Sequence, residues 1–140
     1  MPQLTKRYPF SASHRLHAAK LSAEENVKLF GKCNNPHGHG HNYTLEVTIS
    51  GPTDPHSGMI IARTQLDDIV ERCILSEIDH TDLNSDIEEF SSTPTTTENL
   101  ALIISHRLDK FWAQKFTATD PRVTRIRVEE TTRNSFEVTF

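Results

Sequence analysis

The run Cys33-Asn34-Asn35-Pro36-His37-Gly38-His39-Gly40-His41-Asn42-Tyr43 places three imidazoles two residues apart behind a thiol. On an extended chain His37, His39 and His41 point to one face, and the glycines between them let the backbone come close to a bound ion. Two such same-face histidines can reach one metal. Neutral imidazoles suit zinc, whose catalytic sites take three protein ligands and keep a fourth position open. A further ligand must then come from elsewhere. His14 is the best supplier, because it shares parity with Phe10, Ala12 and Leu16, whereas His17 has the opposite parity. The bland account of the same spacing is a loop of solvated histidines.

Three other positions have chemistry within reach. Cys33 suits either a metal ligand or, in an intracellular protein, a thiolate base or nucleophile activated by nearby positive charge. Asp79-His80 sets a carboxylate beside an imidazole directly after a helix. Such a pair serves as a general base near neutral pH, or simply as a helix-end cap. Glu130 shares parity with Ile126 and Val128 and so points where they point, while Glu129 takes the opposite, solvated face. A carboxylate on a buried face needs a partner, either an internal cation or a ligand with paired N–H donors. Cys73, by contrast, completes the apolar stripe of a helix and reads as a packed thiol.

The elements that must hold these groups follow from periodicity. Alternation predicts a strand from Leu4 to His17, and a second from His41 through Tyr43, Leu45, Val47 and Ile49, closed by Gly51-Pro52. Ser22 to Gly31 reads as a short helix or loop, and Met59 to Ala62 as a return strand. Leu66, Ile69, Val70, Cys73 and Ile74 fall at helical spacing, which predicts a helix from Arg63 to Glu77. A second helix opens at Thr95, where Thr95 to Glu98 has capping-box spacing, and runs to Lys115 or Phe116. Val123–Glu130 and Phe136–Phe140 form a hairpin through Thr131-Thr132-Arg133-Asn134. The sum is an α+β chain, an antiparallel sheet with two helices on one face, in a single domain over residues 1–140.

Composition narrows the function classes. Leu, Ile, Val and Phe make up 34 of the 140 residues, a modest core that makes oligomerisation plausible. With 15 basic and 19 acidic residues the net charge is −4, which offers no footprint for nucleic acid and no attraction to anionic lipid. No apolar run approaches the roughly 20 residues that span a bilayer, and Met1 to Arg7 lacks a signal-peptide apolar region. The expectation is a soluble, cytoplasmic protein without a disulfide framework.

Taken together, Phe10-Ser11-Ala12-Ser13-His14, the Cys33 to Tyr43 run, Asp79-His80 with Leu83-Asn84, Pro94 to Asn99, and Glu130-Thr131 resemble the 6-pyruvoyltetrahydropterin synthase family over nearly the whole chain. The resemblance implies a T-fold, with a four-stranded antiparallel sheet and two helices, assembling into a barrel, typically a homohexamer built as two trimers. It implies a zinc-dependent lyase that converts 7,8-dihydroneopterin triphosphate to 6-pyruvoyltetrahydropterin and releases triphosphate.

Three zinc ligands, His14, His39 and His41, are implied in the same way, the register being set by His39-Gly40-His41-Asn42-Tyr43 and leaving His37 as an extra histidine. Cys33, Asp79 and His80 are implied as the proton-transfer group, Glu130 as the pterin anchor, and Thr96, Thr97 and Glu98 as lining of the pterin pocket. Five residues separate Cys33 from His39, the spacing of pyruvoyl-forming members. Three separate it from His37, as in the 6-carboxytetrahydropterin synthases of queuosine biosynthesis, so that product is the alternative. A non-catalytic metal- or pterin-binding module is the reading from another class. Arg15, Lys20, Lys32 and Arg63 are candidates for the triphosphate by charge alone, each equally readable as a solvated surface cation.

Overall fold

In chain order the elements are β1 (Gln3–His14), α1 (Ala23–Phe30), β2 (His39–Ser50), α2 (Arg63–Val70), α3 (Ser76–Ile78), β3 (Thr81–Asp82), α4 (Leu83–Asp86), α5 (Thr97–Lys115), β4 (Arg122–Thr131) and β5 (Asn134–Thr139). This computed structural model describes all 140 residues. The strands form one sheet in the order β3-β1-β2-β4-β5, antiparallel throughout except for β3, which runs parallel to β1. The four strands that the family resemblance implies are present, and the two-residue β3 makes a fifth.

Period-2 patterning decides which way each strand faces. Phe10, Tyr43, Leu45, Val47, Ile49, Ile126 and Val128 are buried against the helices, where Leu66, Ile69, Ile74, Leu100, Ile104 and Leu108 complete the core. Phe10 and Tyr43 lie opposite each other in the β1–β2 register and stack with ring centroids 4.8 Å apart and planes 8° apart. The other face is polar. Glu46 is buried there at 9% exposure, with Arg127 Nη1 at 2.6 Å, Arg125 Nη2 at 3.7 Å and Arg7 Nη1 at 3.8 Å. A central strand can carry a buried carboxylate because cations on both flanking strands cover it.

Several boundaries differ from the sequence expectation, each for a local reason. β1 stops at His14 because the next backbone groups are taken by a side chain: Arg15 N–H donates to Asn84 Oδ1 at 2.7 Å, and Asn84 Nδ2 donates to Arg15 O at 3.0 Å. No return strand forms at Met59–Ala62. That segment closes a loop through Asp54 N–H to Met59 O at 2.9 Å, and Ala62 already serves as N-cap of α2.

The helix expected from Arg63 to Glu77 runs on to Ile78, with a π-helical turn at Glu71–Leu75 joining α2 to α3. Ser22 to Gly31 is a helix with a capping box between Ser22 and Glu25. The cap of α5 is Thr96, which accepts from Asn99 N–H, rather than Thr95. Thr95 is buried and committed to β1, its hydroxyl donating to Arg15 O at 3.0 Å and its carbonyl accepting from His14 Nδ1 at 2.7 Å. No helix is long and apolar enough to cross a membrane.

The Phe10–Tyr43 stack holds the end of the β1–β2 ladder from which the histidines project. Phe10→Ala is expected to cost about 3–5 kcal/mol in urea unfolding and Phe10→Leu under about 2 kcal/mol. Equal midpoints for the two variants would show that the stack does not secure this register.

Candidate active site

His14 stands directly opposite His39 in the ladder, and Ala12 opposite His41. Same-face residues two apart on one strand therefore meet a third from its neighbour. His14, His39 and His41 each offer a ring nitrogen, and these atoms lie within 4.8 Å of one another. The Nε2 atoms of His14 and His39 are 3.1 Å apart. His14 is 1% exposed, and its Nδ1–H donates to the Thr95 carbonyl, so that Nε2 carries the lone pair.

Burial lowers the pKa of His14, opposed by the Thr95 carbonyl and reinforced by the neighbouring charges of His39 and His41. Burial and then the charge of His41 lower that of His39. A divalent cation is bound by the lone pairs of neutral imidazoles, and with three ring nitrogens this close the group can hold a metal ion. His37 is exposed and stands outside the cluster, as does Cys33.

Glu130 lies beside this group. The register of β4 on β5 shifts between Glu129 and Thr131, a bulge that leaves Glu130 without a cross-strand partner and aims its side chain at the N-terminus of α5. Its carboxylate accepts from the Thr97 hydroxyl and, at 3.2 Å, from Asn134 Nδ2. Burial raises the Glu130 pKa. The hydrogen bonds from Thr97 and Asn134, with the charges of His41 and His14, outweigh burial and hold the carboxyl below its ordinary range.

Thr96 spends its hydroxyl as the helix cap, and Glu98 is exposed in the first turn without an ion-pair partner. Glu129 does not face open water as its parity suggested. It is half-buried between Arg7 Nη2 at 3.8 Å and Arg127 Nη2 at 4.0 Å.

The Asp79-His80 pair docks on the free edge of β1. Asp79 Oδ1 accepts from Ser11 N–H at 2.8 Å and lies 3.0 Å from His80 Nδ1, while His80 N–H donates to Ser11 O at 2.6 Å. His80 is held at φ 62°, a conformation rare for residues with a Cβ, and its side chain is 82% exposed. The ring stands at the surface with its Nδ1 edge toward Asp79. His80 and His41 line one surface groove of ≈ 450 Å³ with Ser11 and Asn42.

Cys33 sits apart, half-buried in the 3-10 turn Gly31–Asn34, with its carbonyl accepting from Leu16 N–H at 2.8 Å. Within one chain no hydrogen bond joins it to Asp79 or His80. Burial pushes the Cys73 thiol up to about 11, in keeping with a packed rather than reactive cysteine.

The sequence reading passed over two contributors. Tyr43 is 1% exposed, and its hydroxyl is buried without a hydrogen-bond partner next to the charge of Glu130. Gly38 has φ 72°, and a Cβ there would stand 3.0 Å from the His14 carbonyl oxygen. The only signal for Gly38 was its place between two histidines, and for Tyr43 its parity with them.

Fold and site together define an α+β protein of the T-fold class with a three-histidine centre at one end of its central strand pair. The sequence matches the 6-pyruvoyl tetrahydropterin synthase family over residues 3–139, and the chain belongs to that family. It is 54% identical over 101 residues to the 6-pyruvoyl tetrahydrobiopterin synthase of Drosophila melanogaster, an alignment that spans 72% of this chain and 60% of the fly protein. With the Homo sapiens 6-pyruvoyl tetrahydrobiopterin synthase it shares 48% identity over 108 residues, 77% of this chain and 74% of the human one. The structure of Caenorhabditis elegans 6-pyruvoyl tetrahydropterin synthase superposes with a TM-score of 0.86 at 38% identity, covering 100% of this chain and 97% of the other.

Gly38→Ala combines positive φ with a backbone contact, whereas Gly58, at φ 73°, has open space around its Cβ position. Both substitutions are expected to cost about 1–2 kcal/mol for the backbone conformation. Only Gly38→Ala is expected also to weaken cobalt binding in a spectroscopic titration, because it pushes His14 from its place; equal cobalt affinities would refute this.

Proposed function

We propose that this chain is a zinc-dependent lyase that converts 7,8-dihydroneopterin triphosphate to 6-pyruvoyltetrahydropterin with elimination of triphosphate. The observation that carries the reading is the convergence of three imidazoles beside a carboxylate kept charged, in a chain whose relatives are named as synthases of this product.

Zinc on His14, His39 and His41 would act as a Lewis acid toward the hydroxyls of the substrate side chain, which acidifies the adjacent C–H bonds. The rest of the chemistry belongs to the protein. Glu130 accepts two parallel N–H bonds from the guanidine-like edge of the pterin, with Thr97 holding the carboxylate in place and Thr96 and Glu98 on the same wall. Asp79 fixes the His80 tautomer so that Nε2 takes and returns protons, and Cys33 supplies the thiolate of the proton-transfer group.

Cys33 and His80 stand apart in one chain, and the proposed homohexamer would supply the missing proximity between subunits. Two features favour assembly: the edge of β1 is paired by β3 only at Ala12 and Ser13, and β5 forms the other edge of the sheet. Clustering of His39, rather than His37, with His14 favours the longer cysteine spacing and hence the pyruvoyl product.

Anaerobic incubation of zinc-analysed protein with 7,8-dihydroneopterin triphosphate, followed by mass spectrometry, should yield the 6-pyruvoyl pterin and triphosphate. A 6-carboxy pterin with acetaldehyde would transfer the chain to the queuosine branch, and no product from the zinc-loaded protein would leave a binding module. Cys33→Ala should lower turnover at least ~100-fold with zinc retained. His39→Ala should lose zinc by elemental analysis, and full occupancy there would sink the ligand assignment.

A further inference from the structure

The chain has two tyrosines, both buried, and only one of them has a partner. Tyr8 on β1 donates its hydroxyl to Asp67 Oδ1 at 2.8 Å. Tyr43 on β2 donates to nothing, and its oxygen is the one buried side-chain nitrogen or oxygen in the chain without a hydrogen bond. Taking a phenol out of water without replacing its hydrogen bond costs stability, so such a group calls for a reason.

Packing does not supply that reason. The Tyr43 ring stacks on Phe10 and meets His41 and His14 at steep angles, with centroids 5.5 Å and 6.5 Å away. A phenylalanine would make every one of these contacts. The hydroxyl is needed neither by the strand ladder nor by the core.

What the hydroxyl faces is the Glu130 site. Burial and then the charge of Glu130 raise the Tyr43 pKa, and the Thr97 hydroxyl opposes them, so both groups stand about the phenol. Thr97 is itself buried and gives its only hydrogen to Glu130 Oε2. Toward Tyr43 it can therefore only accept, through the lone pairs its oxygen keeps, and a carboxylate can only accept as well. A donor thus stands behind two acceptors, one bond short of the chain Tyr43–Thr97–Glu130. Asn134 Nδ2 takes a place on the other carboxylate oxygen, Oε1, at 3.2 Å. Each oxygen then keeps a lone pair for a ligand with two parallel N–H groups.

We propose that Tyr43 is a positioning residue for the ligand anchor: when a ligand with paired N–H donors engages Glu130, the Tyr43 hydroxyl donates to Thr97 Oγ1 and completes the chain. Closing it commits the Thr97 hydrogen to the carboxylate. Linked hydrogen bonds polarise one another, so the carboxylate plane is held more firmly for the ligand's two bonds. Tyr43 acts through Thr97 and not on the ligand itself, because its oxygen is closed off from solvent. That the ligand is a pterin rests on the function proposed above; the coupling of Tyr43 to Glu130 does not.

The test is calorimetric titration of the full zinc-loaded chain with neopterin, with zinc analysis and urea unfolding of each variant. Wild type should bind one neopterin per chain. Tyr43→Phe should weaken binding about tenfold or more, with zinc content full and an unfolding midpoint no lower than wild type, because it sheds an unpartnered hydroxyl. Tyr8→Phe loses a hydroxyl that has a partner and should do the reverse, lowering the midpoint and leaving neopterin affinity unchanged. Thr97→Val should also weaken binding, and in that background Tyr43→Phe should cost less than about twofold more. Thr97→Ser keeps the hydroxyl and should keep the full effect of Tyr43→Phe.

Equal affinity in Tyr43→Phe, loss of zinc or of stability in that variant, simple addition of the Tyr43→Phe and Thr97→Val losses, or no binding by wild type overturns the proposal. If wild type binds neopterin in this Tyr43-dependent way yet consumes no 7,8-dihydroneopterin triphosphate, the lyase reading falls and the positioning role stands. If it consumes that substrate and Tyr43→Phe changes neither neopterin affinity nor KM, the lyase reading stands and the positioning role falls.

Discussion

The pairing of β1 with β2 is the constraint on which the rest of the site depends. His14 faces His39 because twelve residues of each strand run antiparallel in one register, from Gln3 opposite Ser50 onward. Side chains alternate along a strand, so a slip of one residue would send the histidines to the polar face and the arginines into the core. The register is held by burial at Leu45, Val47 and Ile49 and by the Phe10–Tyr43 stack immediately before the first imidazoles. The same ladder that makes the core therefore makes the histidine cluster, and no separate device is needed to bring the three rings together.

Around that frame, environment sorts the ionisable groups into opposite states. Burial keeps His14 and His39 neutral and ready to give lone pairs. Glu130, comparably enclosed, is kept charged because Thr97 and Asn134 donate to it. The contrast is one of hydrogen-bond supply rather than of depth, since burial alone would neutralise both kinds of group. The β4 bulge makes the difference possible, because it frees Glu130 from the ladder and turns it to the first turn of α5.

Short polar side chains tie the loops to this centre. Asn84 and Thr95 clamp the backbone of Arg15 immediately after the first histidine, and Asn34 holds Leu16, Arg15 and His17 from the other side. Each bond is ordinary in strength, but together they end β1 at His14 and hold Arg15 and His17 in the segment that follows it. Asp79 does the same on the open edge, where it binds Ser11 N–H and carries His80 in a conformation that an unconstrained loop would not favour.

Periodicity alone determined the two long strands, the helices on one face and the parity of His14, His39, His41 and Glu130, because burial on one side of a sheet or helix imprints its repeat on the chain. Type and spacing also singled out Asp79-His80 and Cys33. What only the tertiary structure decided was set by contacts between residues far apart in sequence. His39 rather than His37 joins His14 because of the pairing register. The cap of α5 falls on Thr96 because Thr95 is taken by β1. Met59–Ala62 finds no strand to pair with, and Glu129 is enclosed by arginines from two strands. Arg15, one of four cations indistinguishable by charge, is set apart by the Asn34 backbone carbonyl that accepts from its Nε. Local pattern records which side of an element is buried; which partner a polar group meets there is written only in the fold.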